Sequence, residues 1–566
     1  MASVRSPKII SLGFADSRWF YRSLEIFPGL LTWTIILAPF YLSFSAPVAL
    51  AYFIIAFDIY WFLKSVRMST NLLIAYRRYK DNKTVNWAQR ADELNNIAMT
   101  LKHKQEEFLA LSKPAWWSRF SFSAHKQGQR MHYLALKRSV AELQTLSEHS
   151  DLLLKPKDLY HLVIMPCYKV MPKVVQPSIQ AVLDSNCDSR KILFILAYEE
   201  RGGEESERNA EQMAVVYKDS FKTFRIIKHP DGLPGEYRGK GANISYAGRQ
   251  CPGIVEELGI DVDNVIVTTL DEDNIVDQNY FSYLAATYAA EPSRRHRSFQ
   301  PIAMYLNNIW DVPAPMRVIA SGNSFWNMIE MTRPHRLRNF AAHAQGLQTL
   351  IDTDFWSVTT VVEDGHQYWR TYFTYDGDHK VIPMYVPIYQ DAIEGRTYRQ
   401  AFKAQFIQLR RWAWGVSDFA YAVREAVKNK RAPFGDKFLQ IGRLLEGHVS
   451  WATAPLVLAY YAWLPLLLNP AFKDQVLAHQ LPVIASRVLT FASVGIVATI
   501  WVSLLLLPPR PAHHKKTRRV SMLLQWVLLP ITTVAFGAFA ALNAQTRLMF
   551  GKYLAEFDVT EKGIRK

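Results

Sequence analysis

Two aspartates one residue apart, Asp271 and Asp273, leave the apolar run 265–270 within Asp271-Glu272-Asp273-Asn274. Carboxylates spaced this way at the end of a buried strand can direct oxygens at one hard cation, which keeps phosphate oxygens as further ligands. Without a strand beneath it the same triplet is a solvated acidic turn. Downstream, Val361-Val362-Glu363-Asp364-Gly365 again sets carboxylates after an apolar stretch. A sugar hydroxyl is a poor nucleophile at neutral pH and needs a positioned carboxylate to take its proton, a role open to Asp364. A third group lies in Gln408-Leu409-Arg410-Arg411-Trp412. On a helix Gln408, Arg411 and Trp412 share one face, offering an amide, a guanidinium fork suited to phosphate, and an indole plate for a sugar ring. The plain alternative is an amphipathic helix anchored at a membrane surface.

These groups need elements to position them. Short apolar runs at 162–165, 192–196, 224–227 and 265–270 alternate with helical patterns. Runs apolar on both faces, separated by helices, predict an α/β fold with a mainly parallel sheet covered on two sides, whose ligands bind at the carboxyl ends of the strands. The first two carboxylates fall at such an end. Residues 67–156 are polar with helical spacing, and Trp116-Trp117 after Pro114 suit either a membrane interface or a water-exposed helix cap.

The remaining apolar sequence is long enough to leave water. Residues 28–57 carry no charge, and as one helix would span roughly 45 Å, more than a ~30 Å hydrocarbon core. A break near Ser45, Ala46 and Pro47 gives two crossings of about 17 residues, with Tyr60 and Trp61 as interfacial anchors. Residues 448–469, 488–507 and 520–543 are each long enough to cross. Basic residues after the first pair (Lys64, Arg67, Arg77, Arg78, Lys80) and after the fourth crossing (Arg510, Lys515, Lys516, Arg518, Arg519) place both loops, and with the first the chain from about Lys64 to Gly447, in the cytoplasm. A single fifth crossing would export the tail. Pro530 and the small residues around Gly537 could instead turn the last segment back as a hairpin, so five or six crossings both remain open.

Composition agrees with a chain of two to four domains, part soluble and part membrane-embedded. It has 566 residues, 49% of them hydrophobic and 13% aromatic, and a mean hydropathy of −0.06. Three scattered cysteines argue against a disulfide framework and against a zinc site built on clustered cysteines. The +16 net charge is read as topology-setting and lipid-facing; with no zinc finger or aromatic ribonucleoprotein strand present, nucleic acid is not expected as a partner.

Taken in order between membrane segments, Asp271-x-Asp273, Glu363-Asp364 and Gln408-x-x-Arg411-Trp412 resemble the membrane-embedded family-2 glycosyltransferases: cellulose, chitin and hyaluronan synthases and their bacterial relatives. The resemblance implies a GT-A type nucleotide-sugar-binding domain flanked by transmembrane helices, in a multi-pass protein of the cell membrane with its catalytic domain cytoplasmic. It implies a nucleoside-diphosphate sugar donor, most often a UDP-sugar, with Mg²⁺ or Mn²⁺ at Asp271 and Asp273, and Asp364 as general base with Glu363 beside it. Gln408, Arg411 and Trp412 then hold the donor diphosphate and the acceptor end. Pro166 and Tyr168 stand where the family's first strand meets the nucleotide, and Lys240 and Asn243 in its lysine-and-asparagine segment. Where the family carries an Asp after the second strand, this chain has Glu199 and Glu200, and Lys169-Val170 follows Tyr168 where an acidic residue is common. The expected division is a two-helix membrane segment (1–66), a cytoplasmic helical region (67–156), the GT-A domain (157–397), interfacial helices (398–447), transmembrane helices (448–545) and a tail (546–566). The expected reaction is inverting transfer that extends a polysaccharide, with transfer to a membrane lipid as the alternative acceptor chemistry and a non-catalytic assembly subunit as a third reading. Tyr305, Asn307, Asn308 and Trp310 are candidates for sugar specificity, with ordinary packing as the competing reading.

Overall fold

The computed structural model describes Ala15 and residues 17–113 and 124–554; Trp116 and Trp117 lie outside the described residues. Helix α1 (Arg18–Ser45) ends at Ala46, and Pro47 opens α2 (Pro47–Lys83). Proline lacks the N–H that would continue the first helix but fits the first turn of the second, so the chain breaks there. Helix α2 runs through residue 66 without interruption, and Trp87–Glu93, Ile97–Ala110 and Ala124–Glu148 follow as helices.

Eight strands form one mixed sheet in the order β3-β2-β1-β4-β7-β6-β8-β5. Strands β1 (Tyr160–Cys167), β2 (Ile192–Glu199), β3 (Thr223–His229) and β4 (Val265–Thr269) make the parallel half. Strand β6 (Arg297–Met304) also runs parallel to β8 (Lys380–Tyr389), whereas β5 (Ile275–Val276) and β7 (Ala344–Gly346) pair antiparallel. Side chains of the first two strands alternate between two cores. Val163, Met165, Phe194 and Leu196 enter one, while Leu162, Ile164, Leu193 and Ile195 enter the other. A slip of one residue would exchange every side chain between faces, so burial on both sides fixes the register.

Four further helices matter for the site: α3 (Lys240–Glu257), α4 (Ala314–Met331), α5 (Glu363–Thr374) and α6 (Tyr398–Ala413). Three long apolar helices follow, α7 (Phe434–Leu468), α8 (Val476–Leu506) and α9 (Arg518–Met549), so with α1 and α2 five described helices are long and apolar enough to cross a membrane. They share one core with the sheet domain. Leu72 and Tyr79 of α2, Val502 of α8 and Trp526 of α9 pack with Ile302, Met328 and Trp369.

The ends of these helices sort into two sets. Helix α1 begins beside the sheet domain, where Phe27 stacks on Phe419 at 5.8 Å, and ends where Asn469 Nδ2 donates to Ser43 O at 2.8 Å. Helix α2 returns, and Arg78 donates to the Tyr385 hydroxyl at 2.7 Å. Helix α7 leaves from Asp436, which accepts from Tyr372 at 2.6 Å, and after α8 Pro508 O accepts from Trp310 Nε1 at 3.1 Å, again on the sheet-domain side. Helix α9 behaves differently. Near its start Trp526 stacks on Phe325 at 5.9 Å, midway Phe536 meets Phe402 of α6 at 5.7 Å, and near its end Ala541, Ala544 and Leu548 pack with Val361 and Val362. It therefore lies along the sheet domain and never turns back as a hairpin. A π-helical stretch at Thr533–Ala538 interrupts it. Gly29 makes its docking on α1 possible, because a Cβ there would sit 2.9 Å from Gln545 O.

Candidate active site

A cavity of about 150 Å³ opens at the carboxyl ends of the parallel strands. The candidate site residues of the three motifs line it, namely Asp271 and Asp273, Glu363 and Asp364, Gln408, Arg411 and Trp412, together with Pro166, Tyr168, Glu199, Lys240 and Asn243. Chain segments up to about 250 residues apart in sequence thus meet in one place.

The turn after β4 holds its acids by local hydrogen bonds. Asn274 Oδ1 accepts from the Asp271 N–H at 3.0 Å, and Asp273, 2% exposed, accepts the Asp391 N–H at Oδ2 at 3.1 Å. Asn307 Nδ2 donates to Asp273 O at 3.1 Å, tying in the loop after β6. Lys240 opens α3 and turns its ammonium into the acidic cluster, 2.8 Å from Asp271 and 3.6 Å from Glu363. Burial by itself depresses this lysine, but Asp271, Glu363 and Asp364 outweigh it and hold the group above the usual lysine range. Gly241 is required at the next position, since a Cβ would lie 2.7 Å from Ser357 O and 3.1 Å from the Glu363 Cβ.

Glu363 and Asp364 form the first turn of α5, where unpaired N–H groups favour negative charge. Their surroundings differ. Glu363 is 4% exposed, and burial pushes its carboxyl up to about 7 despite the neighbouring Lys240. Asp364 is half-buried and fixed at both oxygens, accepting the Ala341 N–H at 2.6 Å and the Gly365 N–H at 2.7 Å. Each carboxylate oxygen keeps a second lone pair for a proton.

On α6, Gln408 Oε1 accepts from Gln405 at 3.0 Å, and Trp412 lies 5.7 Å from the Tyr305 ring. Burial pulls Arg411 below the usual arginine range, opposed by Glu363, Asp271 and Asp364. Burial likewise raises the Tyr305 phenol, reinforced by Asp271, Asp273 and Asp364, so it stays a neutral hydrogen-bonding group. Asn243, 1% exposed, donates to Ala197 O at 3.0 Å, and its Oδ1 has no partner among the described residues.

Glu199 faces the cavity but is ion-paired with Arg201, whose guanidinium lies 4.6 Å from the Tyr168 ring centre. Glu200 points elsewhere, accepting the Asp231 N–H at 3.1 Å. Beyond Glu199 a second hollow of about 90 Å³ is bounded by Arg201, His229, Asp231, Glu236 and Arg238. Of the four specificity candidates, Tyr305 lines the main cavity, Asn307 and Asn308 hold neighbouring loops, and Trp310 binds Pro508.

Several contributors escaped the sequence reading. Ala341 is at φ 32° and supplies both the N–H held by Asp364 and a carbonyl 3.4 Å from Lys240. A non-glycine residue in this region is strained, and no residue pattern announces it. His343 is depressed to about 4 by burial and accepts from Trp356 Nε1 at 3.3 Å. Gln390 and Asp391 also line the cavity; an acid two residues past an apolar strand is the signal available for Asp391.

The oxygen-only donor set of Asp271 and Asp273 fits a hard divalent ion that takes its remaining ligands from a diphosphate and water. No protein-family model and no curated protein matches the chain. Solved structures similar to it include a mannosyltransferase, PcManGT from Pyrobaculum calidifontis, in complex with GDP-Man and Mn²⁺, at 14% identity and TM-score 0.37, covering 73% of this chain and 96% of that one. TarS 1–349 from S. aureus in complex with UDP-GlcNAc matches at 12% identity and TM-score 0.34, covering 70% and 93%. GalNAc-T7 with UDP, GalNAc and Mn²⁺ matches at 10% identity and TM-score 0.30, covering 50% and 54%. Likeness at this level assigns no activity to the chain.

Proposed function

We propose that this protein is a membrane-embedded glycosyltransferase of GT-A type that moves a sugar from a nucleoside diphosphate, with a UDP-sugar as the expected donor, onto a growing polysaccharide. The observation that carries the reading is the convergence of Asp271, Asp364 and Arg411 on one cavity at the strand ends. Intact acids at separate stations have no purpose in a scaffold alone.

In the proposed reaction the acceptor hydroxyl gives its proton to Asp364 as its oxygen bonds to the anomeric carbon. The bond from that carbon to the diphosphate breaks, and the nucleoside diphosphate leaves. One displacement inverts the carbon. The two backbone N–H groups hold the Asp364 carboxylate in position, while burial raises Glu363 to about 7 and keeps part of it protonated near neutral pH. Arg411 and Lys240 face the phosphates, Tyr305 and Trp412 flank the sugar, and Asn243 Oδ1 is open to a donor hydroxyl. Asp271 and Asp273 would hold Mg²⁺ or Mn²⁺, which when bound would neutralise charge on the departing diphosphate.

The helix ends support a topology in which α1, α2, α7 and α8 cross the membrane and α9 rests in its near interface. Its exposed Leu524, Val527 and Ile531 then meet lipid. The sheet domain, the loop 508–517 and Phe550 share one side, which the basic residues mark as cytoplasmic.

Membranes containing the protein, supplied with labelled nucleotide sugars and Mg²⁺ or Mn²⁺, test the reading. Metal-dependent transfer into a polymer that resists organic extraction supports it. A single-sugar lipid identifies the alternative acceptor, and an inert preparation refutes transferase activity.

A further inference from the structure

The loop between α8 and α9 carries His513 and His514, and both imidazoles close on one carboxylate of the sheet domain. His513 Nε2 lies 3.1 Å and His514 Nε2 2.8 Å from Asp311 Oδ1. The three ligand atoms fall within 4.8 Å of one another, an arrangement found nowhere else among the described residues for three His, Cys, Asp or Glu. The transferase chemistry uses none of them, and none lines the cavity.

Two imidazoles and one carboxylate are donors for a borderline cation, whereas the acids at Asp271 and Asp273 suit a hard one. A zinc ion bound at about 2.0–2.2 Å in tetrahedral geometry requires ligand atoms roughly 3.3 Å apart. The two N···O separations, 3.1 and 2.8 Å, need to open by only a few tenths of an ångström, and the two imidazole nitrogens lie within 4.8 Å of each other. Side-chain exposures of 64% for His513, 19% for His514 and 42% for Asp311 leave a side open to solvent for a fourth ligand. We propose that Asp311, His513 and His514 form a Zn²⁺-class divalent metal site that clasps the cytoplasmic loop of the membrane helices to the sheet domain.

The surrounding contacts show what such an ion would fasten. Trp310 Nε1 donates to Pro508 O at 3.1 Å, and Arg518 donates to Trp310 O at 3.1 Å, so two hydrogen bonds already join the same segments. The loop bearing Asp311 begins at Tyr305, which lines the cavity, and passes Asn307, which holds Asp273. An ion at this clasp therefore restrains a loop whose other end forms part of the donor site. Arg510, Lys515, Lys516, Arg518 and Arg519 lie nearby in sequence and oppose a cation. Titration, not retention through purification, is consequently the measurement to make.

Tag-free full-length protein in detergent micelles, stripped with chelator and held in saturating Mg²⁺, is titrated with Zn²⁺ by calorimetry. One equivalent is expected in the wild type and in Asp273→Asn. His514→Gln and Asp311→Asn should weaken that equivalent by about tenfold or more, the scale seen when support for a metal ligand is removed. Zinc should also slow tryptic cleavage at Lys515 and Lys516 in the wild type but not in His513→Gln. Identical zinc isotherms in the wild type and both ligand variants would overturn the proposal, as would loss of the equivalent in Asp273→Asn alone. Neither readout requires turnover, so failure of the clasp and failure of the transferase reading are distinguishable.

Discussion

Replacing Asp364 by Asn keeps the size of the side chain and removes its charge and its capacity to take a proton. The two carboxylate oxygens each accept a backbone N–H, from Ala341 at 2.6 Å and from Gly365 at 2.7 Å. An amide has one oxygen, so in the variant one of those N–H groups faces another donor. Losing a charge-assisted hydrogen bond of this kind costs about 1.5–3 kcal/mol of stability, and Ala341, held at φ 32°, loses part of its tether. Removing a general base costs about 10²–10⁴ in rate, equivalent to about 3–5 kcal/mol of barrier. The two effects are separable when transfer rate, donor affinity and thermal midpoint are measured on one preparation. The expected result is a turnover reduced at least about 100-fold, near-native donor affinity, and a midpoint lowered by a few degrees. Wild-type turnover would remove Asp364 from the mechanism. A folded variant whose donor binding fell as steeply as its rate would place Asp364 in the donor site instead.

Four other outcomes follow from single contacts. Gly241→Ala puts a Cβ 2.7 Å from Ser357 O, so thermal unfolding should show a loss of about 1–3 kcal/mol. Glu363 rises from 4.5 to about 7 in the fold, so the native state keeps a proton that the unfolded chain releases; its stabilising contribution is full below 4.5 and lost as pH rises through about 7. Glu363→Gln should therefore gain on the wild type in thermal midpoint as pH is raised across that window, and parallel curves would contradict the burial argument. Lys240→Met removes the ammonium 2.8 Å from the half-buried Asp271, a charge-assisted hydrogen bond worth about 1.5–3 kcal/mol, and Mn²⁺ should raise the variant's midpoint more than the wild type's. In a background lacking native cysteines, Asp474→Cys and Lys552→Cys should react with an impermeant maleimide from opposite faces of a sealed membrane; labelling from one face would refute the path assigned to α9.

The parallel half of the sheet was legible because its strands are buried on both faces and therefore read as unbroken apolar runs. The other half was hidden for definite reasons. Strand β6 contains Pro301 beside a register shift between Gln300 and Ile302, and β8 contains Pro383 and Pro387. Proline removes a ladder donor and counts against a strand in any pattern reading. Strands β5 and β7 are too short to show a period. Hydropathy identified the long apolar segments, but it measures length and composition, not direction. The small residues around Gly537 suggested a hairpin, whereas they belong to a π-helical stretch where Gly537 faces Trp451.

At the site, residues with charge were legible and the backbone that positions them was not. Asp364 is aimed by Ala341, whose positive φ belongs to the segment between α4 and β7 and has no counterpart in its residue type. That segment also supplies a carbonyl to Lys240, so one strained residue contacts both the proposed base and the cation beside the proposed metal ligand. The consequence is a coupling between them. Movement of Ala341 toward a relaxed conformation would shift the Asp364 carboxylate and loosen the ammonium that neutralises Asp271. Strain of this order, about 1–3 kcal/mol, persists only where neighbours over-determine the geometry. Here the neighbours are the same acids and lysine that the chemistry needs, so the strained backbone and the buried charge cluster stabilise one another.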